Sequence, residues 1–178
     1  MSKHTNTVAL AVIGDVGAES SAIRNTLEYF GYRVIYIPIG RPNDFIAVLN
    51  REILYDDVSI LVISSHGNGG KMVMPVLADD IYTDGEPKID FDGSMVEAYA
   101  QATGLTVILT GCTLGYLAEN FKKSGCNNVI ATEDYIDGNT ALIFILQLFY
   151  RLSEGDNITT AFEKAVVIND ETKLFQLY

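Results

Sequence analysis

Tryptophan is absent from the 178 residues, and cysteine and histidine occur only twice each. Those four residues are His4, His66, Cys112 and Cys126, and none is closely paired with another in sequence. That spacing argues against a zinc site, and no cofactor of any kind is expected. Two cysteines are too few for a disulfide scaffold and suit a reducing, cytoplasmic compartment. Basic residues are also scarce: 12 Lys and Arg stand against 23 Asp and Glu, for a net charge of −11. Nucleic acid and anionic membrane surfaces both need a basic face, so neither is an expected partner. Long apolar runs are missing as well. The stretch from Ala141 to Tyr150, broken by Gln147, is about half of the ~20 residues that a membrane span requires. Val8 to Ile13 is too short, and lacks the basic flank, for a signal peptide.

What is present is a core-forming composition, 48% hydrophobic, in a length that fits one domain over residues 1–178. Apolar β-branched runs alternate with helical spacing. Strands are expected at Thr7 to Ile13, Tyr32 to Ile39, Val58 toward His66, Leu105 to Thr110, Asn128 to Ala131 and Lys173 to Tyr178. Helices are expected at Ala18 to Phe30, from Arg41 to about Ile53, and at Ser94 to Ala102, Leu114 to Lys123, Asn139 to Leu152 and Ile158 to Val167. Alternation of this kind gives a parallel α/β sheet between helix layers. The pattern breaks between Gly67 and Gly93, which hold five glycines and six acids. A hairpin of Lys71 to Leu77 with Pro87 to Phe91, turning at Asp84-Gly85, is expected there. The whole segment reads as a mobile flap beside the site.

Two strand ends carry the chemistry. His66 follows Ile60-Leu61-Val62-Ile63, and Cys112 follows Val107-Ile108-Leu109. In parallel sheets, sites form at the carboxyl edge, and neighbouring strands lie ~4.8 Å apart. A thiolate nucleophile at Cys112 with His66 as its base is therefore expected. The helix after Cys112 should add the positive end of its dipole. Gly67 supplies a turn without Cβ, and the N–H groups of Gly67 and Cys112 are candidate oxyanion donors. Cys126 has no histidine nearby and reads as structural; His4 lies in a polar tail. The Gly14-x-x-Gly17 loop is only a weak nucleotide signal, because the three-glycine fingerprint is incomplete.

These stretches resemble the caspase-like clan of cysteine peptidases, most of all bacterial CHAT domains and separase. Ile60 through Gly67 is similar to the histidine strand of that clan, and Val107 through Cys112 to its cysteine strand. Val129 to Thr132, Phe149-Tyr150-Arg151-Leu152 and Ala161 to Ala165 are similar to the C-terminal part of CHAT domains. The spacing of 46 residues between His66 and Cys112 is close to the ~50 of caspases. The caspase pentapeptide is absent, as is the tryptophan frequent after the fifth strand. The resemblance implies a three-layer α/β/α sandwich of six mostly parallel strands, in the order 2-1-3-4-5-6. It also implies a cysteine endopeptidase acting on a protein or peptide substrate, possible control by an activator protein, and an oligomeric state left open. In separase-like relatives, an acid after the fifth strand reads a basic residue before the scissile bond. Asp137 matches that role here, with Asp134 as its competitor. The alternatives are a catalytically silent partner-binding module of the same fold and a flavodoxin-like nucleotide or flavin binder.

Overall fold

The computed structural model describes residues 6–178, so His4 lies outside the described residues. In chain order the elements are β1 (Thr7–Ile13), α1 (Glu19–Tyr29), β2 (Arg33–Ile39), α2 (Pro42–Leu49) and β3 (Val58–Ser64). The short pair β4 (Gly67–Asn68) and β5 (Lys71–Met72) follows, then α3 (Gly93–Tyr99), β6 (Thr106–Leu109) and α4 (Ala118–Lys123). The chain closes with β7 (Asn128–Thr132), α5 (Gly138–Ser153), α6 (Ile158–Ala165) and β8 (Phe175–Leu177). One sheet runs β2-β1-β3-β6-β7-β8. All its pairings are parallel except β7 with β8. These are the six sheet strands that the sequence foretold. The expected order, 2-1-3-4-5-6, counted no strands between the third and fourth, where the β4–β5 ladder intervenes.

The two-residue period of a strand sorts β1 between two cores. Ala9, Ala11 and Ile13 face α2, α3 and α4, where Phe45, Val96 and Phe121 are fully buried. Val8, Leu10 and Val12 face α1, α5 and α6, against Ile23, Leu27, Phe144 and Leu148. Burial on both faces explains why β1 reads as an uninterrupted apolar run. No helix among the described residues is long and apolar enough to cross a membrane.

The segment from Gly67 to Gly93 departs from expectation. Its antiparallel pairing is Gly67 with Met72 and Asn68 with Lys71, and Phe91 returns only as a single bridge to Met72. Met72 and Phe91 are fully buried in the α2–α3 core, and Phe91 meets Phe45 edge-on at 5.1 Å between ring centroids. Three of its six acids serve the local structure. Asp92 caps α3 by accepting from the Ser94 and Met95 N–H groups, and Asp90 accepts from the Met74 N–H. Glu86 is buried and takes both Arg41 and the Asn43 N–H at the start of α2. Arg41, the Asn43 and Thr83 N–H groups and the Thr83 hydroxyl hold the Glu86 carboxyl well below the usual range. Alternation of glycine and acid looked like a flap, but two apolar anchors, Met72 and Phe91, and a buried carboxylate fasten it.

Candidate active site

His66 and Cys112 leave the sheet side by side. β3 and β6 pair in parallel up to Ile63 opposite Leu109, and Thr110 N–H donates to the Ile63 carbonyl at 3.1 Å. Beyond that point the two backbones press together. A Cβ on Gly67 would overlap the Cys112 carbonyl oxygen, and one on Gly111 would come within 2.7 Å of the Ser65 carbonyl oxygen. Only glycine fits at either position, which accounts for the His-Gly and Gly-Cys pairs of the sequence.

Both residues open into one cleft of about 550 Å³, walled by Val16, Glu19, Ile136 and Asp137 among others. The loop at Gly14–Gly17 shapes one side. Gly14 and Gly17 take φ values of +67° and +59°, and the turn aims the Asp15 carbonyl at His66 Nε2, 2.9 Å away. A carbonyl can only accept, so in that contact Nε2 carries the hydrogen. The neutral ring then keeps Nδ1 as its free base. The glycines that suggested a weak nucleotide loop thus orient an imidazole.

The Cys112 thiol meets the backbone of Ile136. Sγ donates to the Ile136 carbonyl at 3.4 Å, and the Ile136 N–H points at Sγ at 3.5 Å. The expected helix after Cys112 is replaced by a left-handed residue, Thr113 (φ +59°), a 3₁₀ turn over Leu114–Leu117 and then the six-residue α4. A strong dipole at the thiol is therefore not part of the site. Thr113 is buried, and the position is over-determined: its N–H donates to the Asp134 carbonyl and its hydroxyl accepts from the Gly70 N–H. An L residue in this region costs ~1–3 kcal/mol, and such strain persists where neighbours fix it.

Asp137 lines the cleft and also caps α5, accepting from the Asn139 N–H at 2.8 Å. Asp134 is not among the lining residues; its carboxylate turns back to the Tyr135 N–H at 2.7 Å. Gly67 is likewise outside the lining and acts through its contact with Cys112. Cys126 is buried in the α2–α3–α4 core on the other face, where burial pushes its thiol up. The expected flap touches the site only at its start, where Gly67 packs against Cys112 and the Gly70 N–H donates to Thr113, and none of its residues lines the cleft. The Asn68 amide oxygen accepts from the Tyr135 hydroxyl at 2.9 Å, which links the segment to the far wall.

Glu19 was missed by sequence reasoning. It opens α1 and lines the cleft, and its Oε1 accepts the Ser64 hydroxyl at 2.8 Å and the Thr110 hydroxyl at 3.0 Å. The available signal was an acid in the first turn of a helix that starts beside a strand exit.

No family model matches the sequence, and no curated protein matches it. Solved structures do match in fold. The complex of the pro- and mature domains of gingipain RgpB from Porphyromonas gingivalis aligns over 96% of this chain and 45% of its own, at 14% identity and a TM-score of 0.57. A secreted C11 cysteine protease from Bacteroides thetaiotaomicron, bound to an irreversible peptide inhibitor, aligns over 93% and 59% at 10% identity and 0.54. The Saccharomyces cerevisiae separase–securin complex aligns over 98% and 12% at 13% identity and 0.58. The chain thus spans about half the length of the first of these and far less of separase. What it shares with all three is the α/β/α fold of the caspase-like cysteine peptidases.

Proposed function

We propose that the chain is a cysteine endopeptidase using Cys112 and His66. The observation that carries this reading is their shared cleft, with the His66 tautomer set by the Asp15 carbonyl. The Cys112 proton passes to His66 Nδ1, and the sulfur forms a bond to the scissile carbonyl carbon. The carbonyl electrons move onto oxygen, with the N–H groups of Gly67 and Cys112 as the proposed oxyanion donors. The tetrahedral adduct then collapses, breaking the C–N bond, and His66 returns the proton to the leaving amine. Water, deprotonated by His66, hydrolyses the resulting thioester. Substrate must also displace the Ile136 backbone from the thiol.

The preferred residue before the scissile bond is basic, Arg over Lys. Two carboxylates, Glu19 and Asp137, face the cleft, and a fork-shaped guanidinium gains most from a second acceptor. Asp134 is the lesser candidate because it lies outside the lining. The setting we propose is cytoplasmic, in line with two cysteines that are both free. The domain type we propose is a bacterial CHAT or separase-like one. Its partners are a peptide or protein substrate and an activator that frees the Ile136 segment. A fluorogenic peptide library with and without a thiol alkylator tests the reading. Cleavage that the alkylator abolishes supports it; no cleavage of any peptide, or cleavage indifferent to alkylation, refutes it.

A further inference from the structure

We propose that Glu19 is a positioning residue that sets the spacing between His66 and Cys112; this rests on the peptidase reading above. One carboxylate oxygen accepts two hydroxyls, from Ser64 at 2.8 Å and from Thr110 at 3.0 Å. Each donor lies two residues before a member of the pair. Residues two apart on an extended chain share a face, so the tie falls on the side of the sheet where the cleft opens. It also falls where the backbone ladder gives out. The last rung is Ile63 opposite Leu109, and the Thr110 N–H bond to Ile63 is the last main-chain link before the glycines.

Past that rung, Glu19 couples the two exits through side chains and fastens both to the first turn of α1. Ser64 is fully buried and Thr110 nearly so. Loss of their common acceptor would leave two buried hydroxyls to find new partners. The strand ends that carry base and nucleophile would then be free to part. A misplacement of about 1 Å at reacting groups costs up to ~100-fold in rate. The other oxygen, Oε2, lies toward Gly138 across the cleft and remains for a substrate cation. The clamp and the charge therefore belong to different oxygens and can be separated by mutation.

The experiment compares Glu19→Gln, which keeps an acceptor and loses the charge, with Glu19→Ala, which loses both. The first readout is iodoacetamide alkylation of Cys112 at neutral pH, followed by mass spectrometry so that Cys126 serves as an internal reference. The second is kcat and KM on a peptide with a neutral residue before the scissile bond. Glu19→Ala should slow Cys112 alkylation and lower kcat by about tenfold with little change in KM. Glu19→Gln should recover most of both losses. The double variant Ser64→Ala, Thr110→Val should reproduce the alanine defect with Glu19 intact, and it replaces Glu19→Ala if thermal melts show that variant unfolded. Equal damage from Gln and Ala on the neutral peptide, or a double variant with wild-type rates, overturns the clamp. A wild-type protein whose Cys112 reacts no faster than Cys126 overturns the peptidase reading itself, and the clamp with it.

Discussion

On the α2–α3 face, Glu86 is fully buried, and both its oxygens are taken, by Arg41, the Asn43 and Thr83 N–H groups and the Thr83 hydroxyl. Around the cleft, by contrast, polar groups are left without protein partners. The Ser65 hydroxyl, beside His66, is the one buried side-chain N or O atom among the described residues without a partner. Asp137 is exposed at the cleft. The same strands supply both faces, so the contrast is one of purpose. Saturated polar groups hold a structure together; unsaturated ones in a cleft have work to do with something that is not the protein. By that criterion the glycine- and acid-rich segment is scaffold, and the candidate site lies where the strand exits of His66 and Cys112 open into the cleft.

The largest effect that bears on this contrast belongs to the nucleophile. Cys112→Ala should remove peptidase activity, a loss of about 10⁴-fold or more, while Cys126→Ala on the opposite face should leave it. In the wild-type protein Cys112 should also alkylate faster, because burial raises the Cys126 thiol and leaves less of it as thiolate. Peptide turnover by Cys112→Ala, or equal alkylation of the two thiols, would break the division between faces. Next in size is Glu86. Removing one partner of a buried pair costs 3–5 kcal/mol; Arg41 is partly exposed, so Glu86→Ala should cost about 2 kcal/mol in a urea melt. The folded Glu86 carboxyl lies below its unfolded value. Its stabilisation is therefore complete above that unfolded value, about pH 4.3, and fades as pH falls below it. Stability of the wild type should drop on acidification through that range, and the drop should be smaller in Glu86→Ala. An equal acid sensitivity in both proteins would show that Glu86 is not the anchor.

Periodicity made the sheet and its two helix layers legible, because β1, β3 and β6 are buried on both faces and admit little but apolar residues. That His66 and Cys112 border one cleft was legible for the same reason, since glycine follows one strand exit and precedes the cysteine at the other. The segment after His66 was misread because the sequence shows six acids without showing that Arg41, 45 residues before Glu86, meets one of them. The site's remaining parts are backbone groups: the carbonyls of Asp15 and Ile136, and a left-handed Thr113. A backbone group contributes whatever its side chain is, so no residue type announces it.

Asp137 tests whether openness on the cleft face means recognition. Its Oδ1 already accepts from the Asn139 N–H, so the residue has a capping role as well. Asp137→Asn keeps an acceptor for the cap and loses the charge; Asp137→Ala loses both. Cleavage after Arg should fall by about tenfold in either variant, equivalent to about 1.4 kcal/mol of charge-assisted bonding. Cleavage after an apolar residue should fall much less. If the two substrates suffer alike, or only the alanine variant is impaired, then Asp137 is a helix cap and the cation is read by Glu19 alone.

The smallest effect is expected at Ser65, which borders the cleft with a buried, unpartnered hydroxyl. A buried hydroxyl without a partner costs ~1–3 kcal/mol relative to a bonded one, while an apolar group of similar shape costs nothing of the kind. Ser65→Ala should therefore leave stability unchanged or raise it by up to ~1 kcal/mol, the reverse of the usual sign for a buried substitution. If the open hydroxyl is held for substrate, the same variant should lose about threefold in kcat/KM, because its contact is made only when the cleft is filled. Thermal melts and peptide kinetics on one preparation decide the matter. A protein that becomes more stable and less active confirms that the cleft keeps a polar group unpaired at the expense of the fold. A protein that loses stability would mean that the Ser65 hydroxyl is satisfied in solution, and the unsaturated face would then shrink to its carboxylates.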